Sequence, residues 1–154
     1  MSARTKSRKR AIDILYGADL RGTSINDALS EATSRALADT RSESSWTYAR
    51  QIVKGVAEHG DEIDELIETY AQGWTIGRMP IVDRAITRIG IWEVLFNDEV
   101  PVNVAISEAV EQASELSTED SGKFINGLLG RIALTAPAAP PAASAPAVPP
   151  AASV

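Results

Sequence analysis

The chain has 154 residues, 44% of them hydrophobic and 23% charged, the balance of one globular domain with a real core rather than of a disordered polyelectrolyte. It has no cysteine, which excludes disulfides, thiolate nucleophiles and cysteine-ligated metal centres and fits a reducing cytoplasm. Net charge is −6, yet the first ten residues hold Arg4, Lys6, Arg8, Lys9 and Arg10 and no acid, so this segment is +5 and the remainder −11.

Hydrophobic spacing is close to 3.6 almost throughout, and no segment alternates as a half-buried strand would, so the expected class is all-α. Residues 1–10 read as a basic arm, kept frayed by repulsion between its cations. The opening is not followed by the apolar run of a secretory signal, and Asp13 and Asp19 spoil the acid-free helix of a transit peptide. From the arm a helix continues over 11–20, with Ala11, Leu15 and Ala18 on one stripe and a stop near Gly22. Ser24 can cap the next helix, whose inner face is Ile25, Ala28, Leu29, Ala32 and Ala36. The polar linker DTRSESS leads to a third helix over about 45–58, which His59 and a left-handed Gly60 should end.

A fourth helix starts at Asp61 and carries Ile63, Leu66, Ile67, Tyr70 and Trp74 on one stripe. Gly73, Gly77 and Pro80 then break the chain before a helix over about 80–97, apolar nearly all round after Arg88 and so expected in the middle of a bundle. Pro101 opens another, with Val102, Ala105, Ile106, Ala109, Val110, Ala113 and Leu116 expected inward and Glu108, Glu111 and Glu115 outward. After the turn STEDS, the last helix is expected to bury Phe124, Ile125, Leu128, Leu129 and Ile132. Asn126-Gly127 is a hairpin-turn dipeptide, but helical spacing runs through it, and a glycine there would let a neighbouring helix approach. The expected organisation is the arm at 1–10, a helical domain over 11–134 and a disordered Ala/Pro-rich tail over 135–154.

Catalytic chemistry finds no seat. A single histidine, His59, has no orienting partner in the sequence, the carboxylates are scattered over outward faces, and neither a phosphate-binding glycine loop nor a nucleophile elbow is present. No metal and no cofactor are expected. The strongest chemical feature is the arm, which suits a polyanion such as RNA or serves only solvation. Trp46, Trp74 and Trp92 lie on apolar stripes and read as core. Phe124 is open between core packing and stacking on a base, because Asp120, Ser121 and Lys123 precede it at a helix start where backbone N–H groups and a cation can hold a phosphate.

The stretch VPVNVAISEAVEQASELSTEDSGKFINGLLGRI from Val100 to Ile132, with MPIVDRAITRIGIWEVL from Met79 to Leu95 and AIDILY after the basic start, resembles the NusB transcription antitermination family. The resemblance implies a helical bundle of two small subdomains without enzymatic activity. It also implies joint binding of boxA-type single-stranded RNA with NusE, a small-subunit ribosomal protein, in support of the elongation complex on ribosomal RNA operons. By the same resemblance Arg4, Lys6, Arg8, Lys9 and Arg10 match an arginine-rich RNA-binding segment in character, Asp120, Ser121, Lys123 and Phe124 match the EDSxKF stretch that lies against RNA, and Tyr70 matches an RNA-facing tyrosine. Tyr16 and Asp83 match the face that receives NusE. Departures are Ser107 for the usual asparagine, Thr87 for leucine and Ser114 for a lysine. The alternative is a helical protein-interaction module without specific RNA binding; a monomer and a homodimer that masks the arm fit these stripes equally, and no membrane partner is expected.

Overall fold

The computed structural model describes residues 2–38 and 43–135, and among them the secondary structure is entirely helical. Helix α1 runs Ala3–Arg21, α2 Ile25–Ala38, α3 Glu43–Glu58, α4 Gly60–Tyr70, α5 Ile81–Phe96, α6 Val102–Leu116 and α7 Glu119–Thr135, with a 3-10 turn at Ile76–Arg78 before α5. Helices α1, α2 and α3 pack on one another, α4 to α7 do likewise, and α5 lies against α1 and α3 as well as α6 and α7. One apolar cluster therefore runs through both groups, from Leu15 and Ile52 to Ile91, Leu128 and Ile132. The all-round apolar character of α5 has its reason there: it is the shared wall.

The punctuation follows local chemistry. Gly22 ends α1 in the left-handed conformation at φ 69°, where a β-carbon would be strained. Ser24 accepts a hydrogen bond from the Asp27 N–H at 3.0 Å and caps α2. Thr118 does the same for α7, accepting from the Ser121 N–H at 3.0 Å, so Glu119 and Asp120 occupy the first turn, where their charge suits the helix dipole. Closely spaced helices rely on glycine at α3 and α5. A β-carbon on Gly55 would fall 2.0 Å from Trp92 Nε1, and one on Gly90 2.7 Å from Leu129 Cδ1.

Several expectations are corrected. The basic segment is not a frayed arm: it forms the first turns of α1, capped by Ser2, whose hydroxyl accepts from the Thr5 N–H. Gly60 is not a left-handed cap, since α4 starts on it after the one-residue joint at His59. His59 stacks on Phe96 at 3.8 Å between ring centroids and meets Glu62 at 2.9 Å, a helix-joint role. Trp74 is not core: α4 stops at Tyr70, and Trp74 stands half-exposed on the following loop. Helix α7 does run through Asn126-Gly127, but Gly127 faces only the side chain of Arg131, so helical continuity there owes nothing to a close neighbour. Linker residues 39–42 and the tail from 136 onward lie outside the described residues.

Candidate nucleic-acid interface

Two cations of the N-terminal segment, Arg8 and Lys9, meet carboxylates on α5 and α6. Arg8 is 5% exposed and Glu93 1%; Arg8 Nε donates to both Glu93 oxygens at 3.0 Å, and Nη1 donates to Glu108 at 3.1 Å. The Tyr48 hydroxyl donates to Glu93 as well, and itself accepts from Asn97 Nδ2 at 3.0 Å. Burial alone would lower the Arg8 pKa, but the hydrogen bond and charge of Glu93, helped by Tyr48 and Glu108, hold it above its ordinary value. Burial first, and then the Glu93 charge, push the Tyr48 phenol up, so it stays a neutral donor. Thr5 donates to Glu108 at 3.0 Å, completing the lock.

Arg8 is thus withdrawn from the expected RNA-binding set, because its guanidinium is consumed inside the fold. Its neighbours differ. Arg4 lies 4.2 Å from the Tyr48 ring centroid and 3.7 Å from Glu99 while remaining largely exposed. Lys9 pairs with Glu115, Arg10 donates to Ser45 and covers the Trp46 ring at 5.2 Å, and Lys6 is exposed. Such surface pairs are weak and screened by salt, so a phosphate can replace the carboxylate at little cost.

The second feature is a cleft of about 290 Å³ where the α4–α5 loop meets the α6–α7 turn. Its buried floor holds Met79, Asp83 and Ser121, and its walls are Trp74 and Phe124, whose ring centroids lie 5.8 Å apart at 54°. Ser121 donates to Asp83 Oδ2 at 2.6 Å and lies within hydrogen-bonding distance of the Ser117 and Thr118 hydroxyls. Asp83 Oδ1 is buried and has no hydrogen-bond partner. Asp120 lines the cleft at its exposed edge, and Lys123 is exposed one turn into α7.

The residues expected from sequence therefore divide. Asp120, Ser121 and Phe124 come together in the cleft, and Asp83, expected on the protein-partner face, joins them there. Ser121 is a buried positioning group rather than a surface contact. The Ser121 and Gly122 N–H groups are already taken by Thr118, which leaves less of the α7 N-terminus for a phosphate than the sequence suggested. Tyr70 is half-buried against the core, its carbonyl accepting from Arg131 Nε at 3.1 Å. Tyr16 is 39% exposed on α1. Trp74 is the residue that sequence reasoning missed; the signal was present in Gly73 and Gly77 on either side, which end the helical stripe that seemed to bury it.

A family model of the NusB family matches residues 5–134. This chain belongs to the NusB family. Among its relatives, the NusB transcription antitermination protein of Leifsonia xyli subsp. xyli is 61% identical over 137 residues, covering 89% of this chain and 95% of the relative. That of Clavibacter sepedonicus is 62% identical over 133 residues, covering 86% and 97%. Among solved structures, T. maritima NusB aligns with a TM-score of 0.75 at 32% identity, over 88% of this chain and 93% of that one. A crystal structure of the antitermination factors NusB and NusE with double-stranded RNA aligns with a TM-score of 0.73 at 28% identity, over 87% and 98%. NusB membership makes the chain a transcription antitermination factor and not an enzyme. Among the described residues no helix is long and apolar enough to cross a membrane.

Proposed function

We propose that this NusB chain binds boxA-type single-stranded RNA jointly with NusE, in the cytoplasm, and so supports processive transcription of ribosomal RNA operons by the elongation complex. The observation that carries the reading is the aromatic-walled cleft at the start of α7, in a chain whose first helix carries exchangeable cations. Along α1, Thr5 meets Glu108 and Lys9 meets Glu115; Glu115 lies two residues before Ser117, which lines the cleft. A strand can therefore lay phosphates on Arg4, Lys6, Lys9 and Arg10 and deliver a base to Phe124, with Lys123 beside it. Single strands suit this arrangement because an unstacked base is what an aromatic wall accepts. Tyr16, on the exposed side of α1, and the acidic remainder of the surface suit a basic ribosomal protein.

The test is RNA binding with and without NusE across a salt series, for the native chain and for a variant with Arg4, Lys6, Lys9 and Arg10 changed to Gln while Arg8 is kept. Four phosphate contacts correspond to a salt slope of roughly −3 for a single strand. The variant should lose most of that slope, and NusE should tighten binding of boxA-type RNA over an unrelated strand. An unchanged slope, or no gain from NusE, would refute the proposal. The rival reading, a protein-interaction module, draws support from the cations being already paired within the fold; NusE capture without any RNA dependence would favour it.

A further inference from the structure

Among the cations of α1, Lys9 is neither locked nor free. Arg8 is closed inside the fold by Glu93 and Glu108, whereas the Lys9–Glu115 pair stands at the surface, its side chains 30% and 53% exposed. Thr5, Lys9, Glu111, Gln112 and Glu115 line a groove of about 220 Å³ between α1 and α6. Asp13, one turn on along α1, lies near enough for the Lys9 charge to act on its carboxyl. One ammonium therefore faces three carboxylates, and the groove repels an anion as it stands. Glu115 does nothing for its own helix. It is the second-last residue of α6, in a last turn without a basic residue, where a negative charge opposes the helix dipole. An exposed ion pair adds little stability in return. We propose that Glu115 is an intramolecular counter-anion seated in a phosphate position: it covers Lys9 in the free protein, and RNA engages that part of α1 only by displacing it. The inference rests on the RNA reading above and adds to it a residue that opposes binding.

Carboxylate and phosphate compete for the same ammonium from different starting points. Glu115 is tethered, so its effective concentration at Lys9 is on the order of millimolar. A lone phosphate, held only by a screened surface contact, does not win against it. A strand already anchored at Arg4 or by its protein partner brings its next phosphate at a similar effective concentration, and there the exchange succeeds. Once displaced, Glu115 stays in the groove beside the incoming phosphate, and Glu111, one turn back on α6, adds to the repulsion. The exchange therefore costs more than the loss of one surface pair. Its consequence is a threshold: α1 answers to a strand held at several points and ignores scattered anions.

The experiment measures anisotropy of a labelled boxA-type single strand and of an unrelated strand of equal length, each at about 50 and about 300 mM salt. Both are titrated with the native chain, Glu115→Gln, Lys9→Gln, the double variant and Glu31→Gln. Glu31 is the charge-matched control, an exposed carboxylate beside Arg21, which lies about 18 Å from Lys9 along α1 and so beyond the screening length. Glu115→Gln should tighten both strands about fivefold at the lower salt, because phosphates carry no sequence, and less than about twofold at the higher. In the Lys9→Gln background the gain should shrink below about twofold, and Glu31→Gln should change nothing. The urea midpoint of Glu115→Gln should hold or rise. A gain that survives Lys9→Gln, or that Glu31→Gln reproduces, means general repulsion and overturns the counter-anion. A lower urea midpoint overturns it as well, by making the pair part of the fold. If neither the native chain nor Glu115→Gln binds either strand, the RNA reading falls and the counter-anion with it. Binding that Glu115→Gln leaves unchanged removes the counter-anion alone.

Discussion

Replacing Arg8 with alanine tests whether the N-terminal cations belong to the fold or to the solvent. The substitution leaves the Glu93 carboxylate, 1% exposed, without its two guanidinium hydrogen bonds. Removing one partner of a buried pair costs about 3–5 kcal/mol. The Tyr48 hydroxyl still donates to Glu93, so the lower end, about 3 kcal/mol, is expected. With a urea m-value of about 2 kcal/mol/M, the unfolding midpoint followed by circular dichroism should fall by roughly 1.5 M. Arg35→Ala, an exposed change on α2, should move stability by no more than about 0.5 kcal/mol. The double variant Arg8→Met with Glu93→Leu should recover most of the loss, because an apolar pair of similar volume does not need the desolvated charges. If Arg8→Ala and Arg35→Ala are indistinguishable, α1 does not dock as described and the arm is a free tail after all.

Other substitutions probe the rest of the fold. Thr87 is fully buried in α5 with an unpartnered hydroxyl, so Thr87→Val should raise stability by about 1 kcal/mol in the same urea titration; a loss would mean the hydroxyl has a partner in solution. Gly55→Ala places a β-carbon 2.0 Å from Trp92 Nε1 and should cost about 3 kcal/mol, lowering Tm by on the order of 10 °C in calorimetry. The Tyr48 pKa is raised in the folded state, so its contribution is whole below the ordinary value near 10 and drains away as pH rises toward the folded value. Tyr48→Phe should therefore cost about 1–2 kcal/mol at neutral pH and flatten the decline in stability between about pH 9 and 11. An unchanged alkaline limb would place the phenol in water.

The helices were legible because their determinants are local. Ser24 and Gly22 sit where capping and left-handed backbone require them, and the stripes of α5, α6 and α7 keep their period across long stretches. Asn126-Gly127 was correctly read through, since turn propensity loses to a continuous apolar face. The cleft was half legible: the α7 segment could be read as a likeness, but Asp83 is 38 residues from Ser121 in sequence, and no periodicity reports that pairing. The arm was misjudged for the same reason. Repulsion among Arg4, Lys6, Arg8, Lys9 and Arg10 is a local fact, whereas the acids that offset it lie far along the chain, on α5, α6 and the loop between them. Trp74 was misplaced because a 3.6-residue count continued past Tyr70, where Gln72 and Gly73 turn the backbone out of the helix.

The lock on α1 also has a timetable. Arg8 finds Glu93 85 residues downstream and Glu108 100 residues downstream. At a translation rate of about 5–20 residues per second, Arg8 is made roughly 5–20 s before Glu108. Over that interval a newly synthesised chain presents Arg8 to its surroundings, and only completion of α6 withdraws it. The ribosome is itself a polyanion, so the order of synthesis sets a period in which this terminus is adhesive and a moment at which it ceases to be.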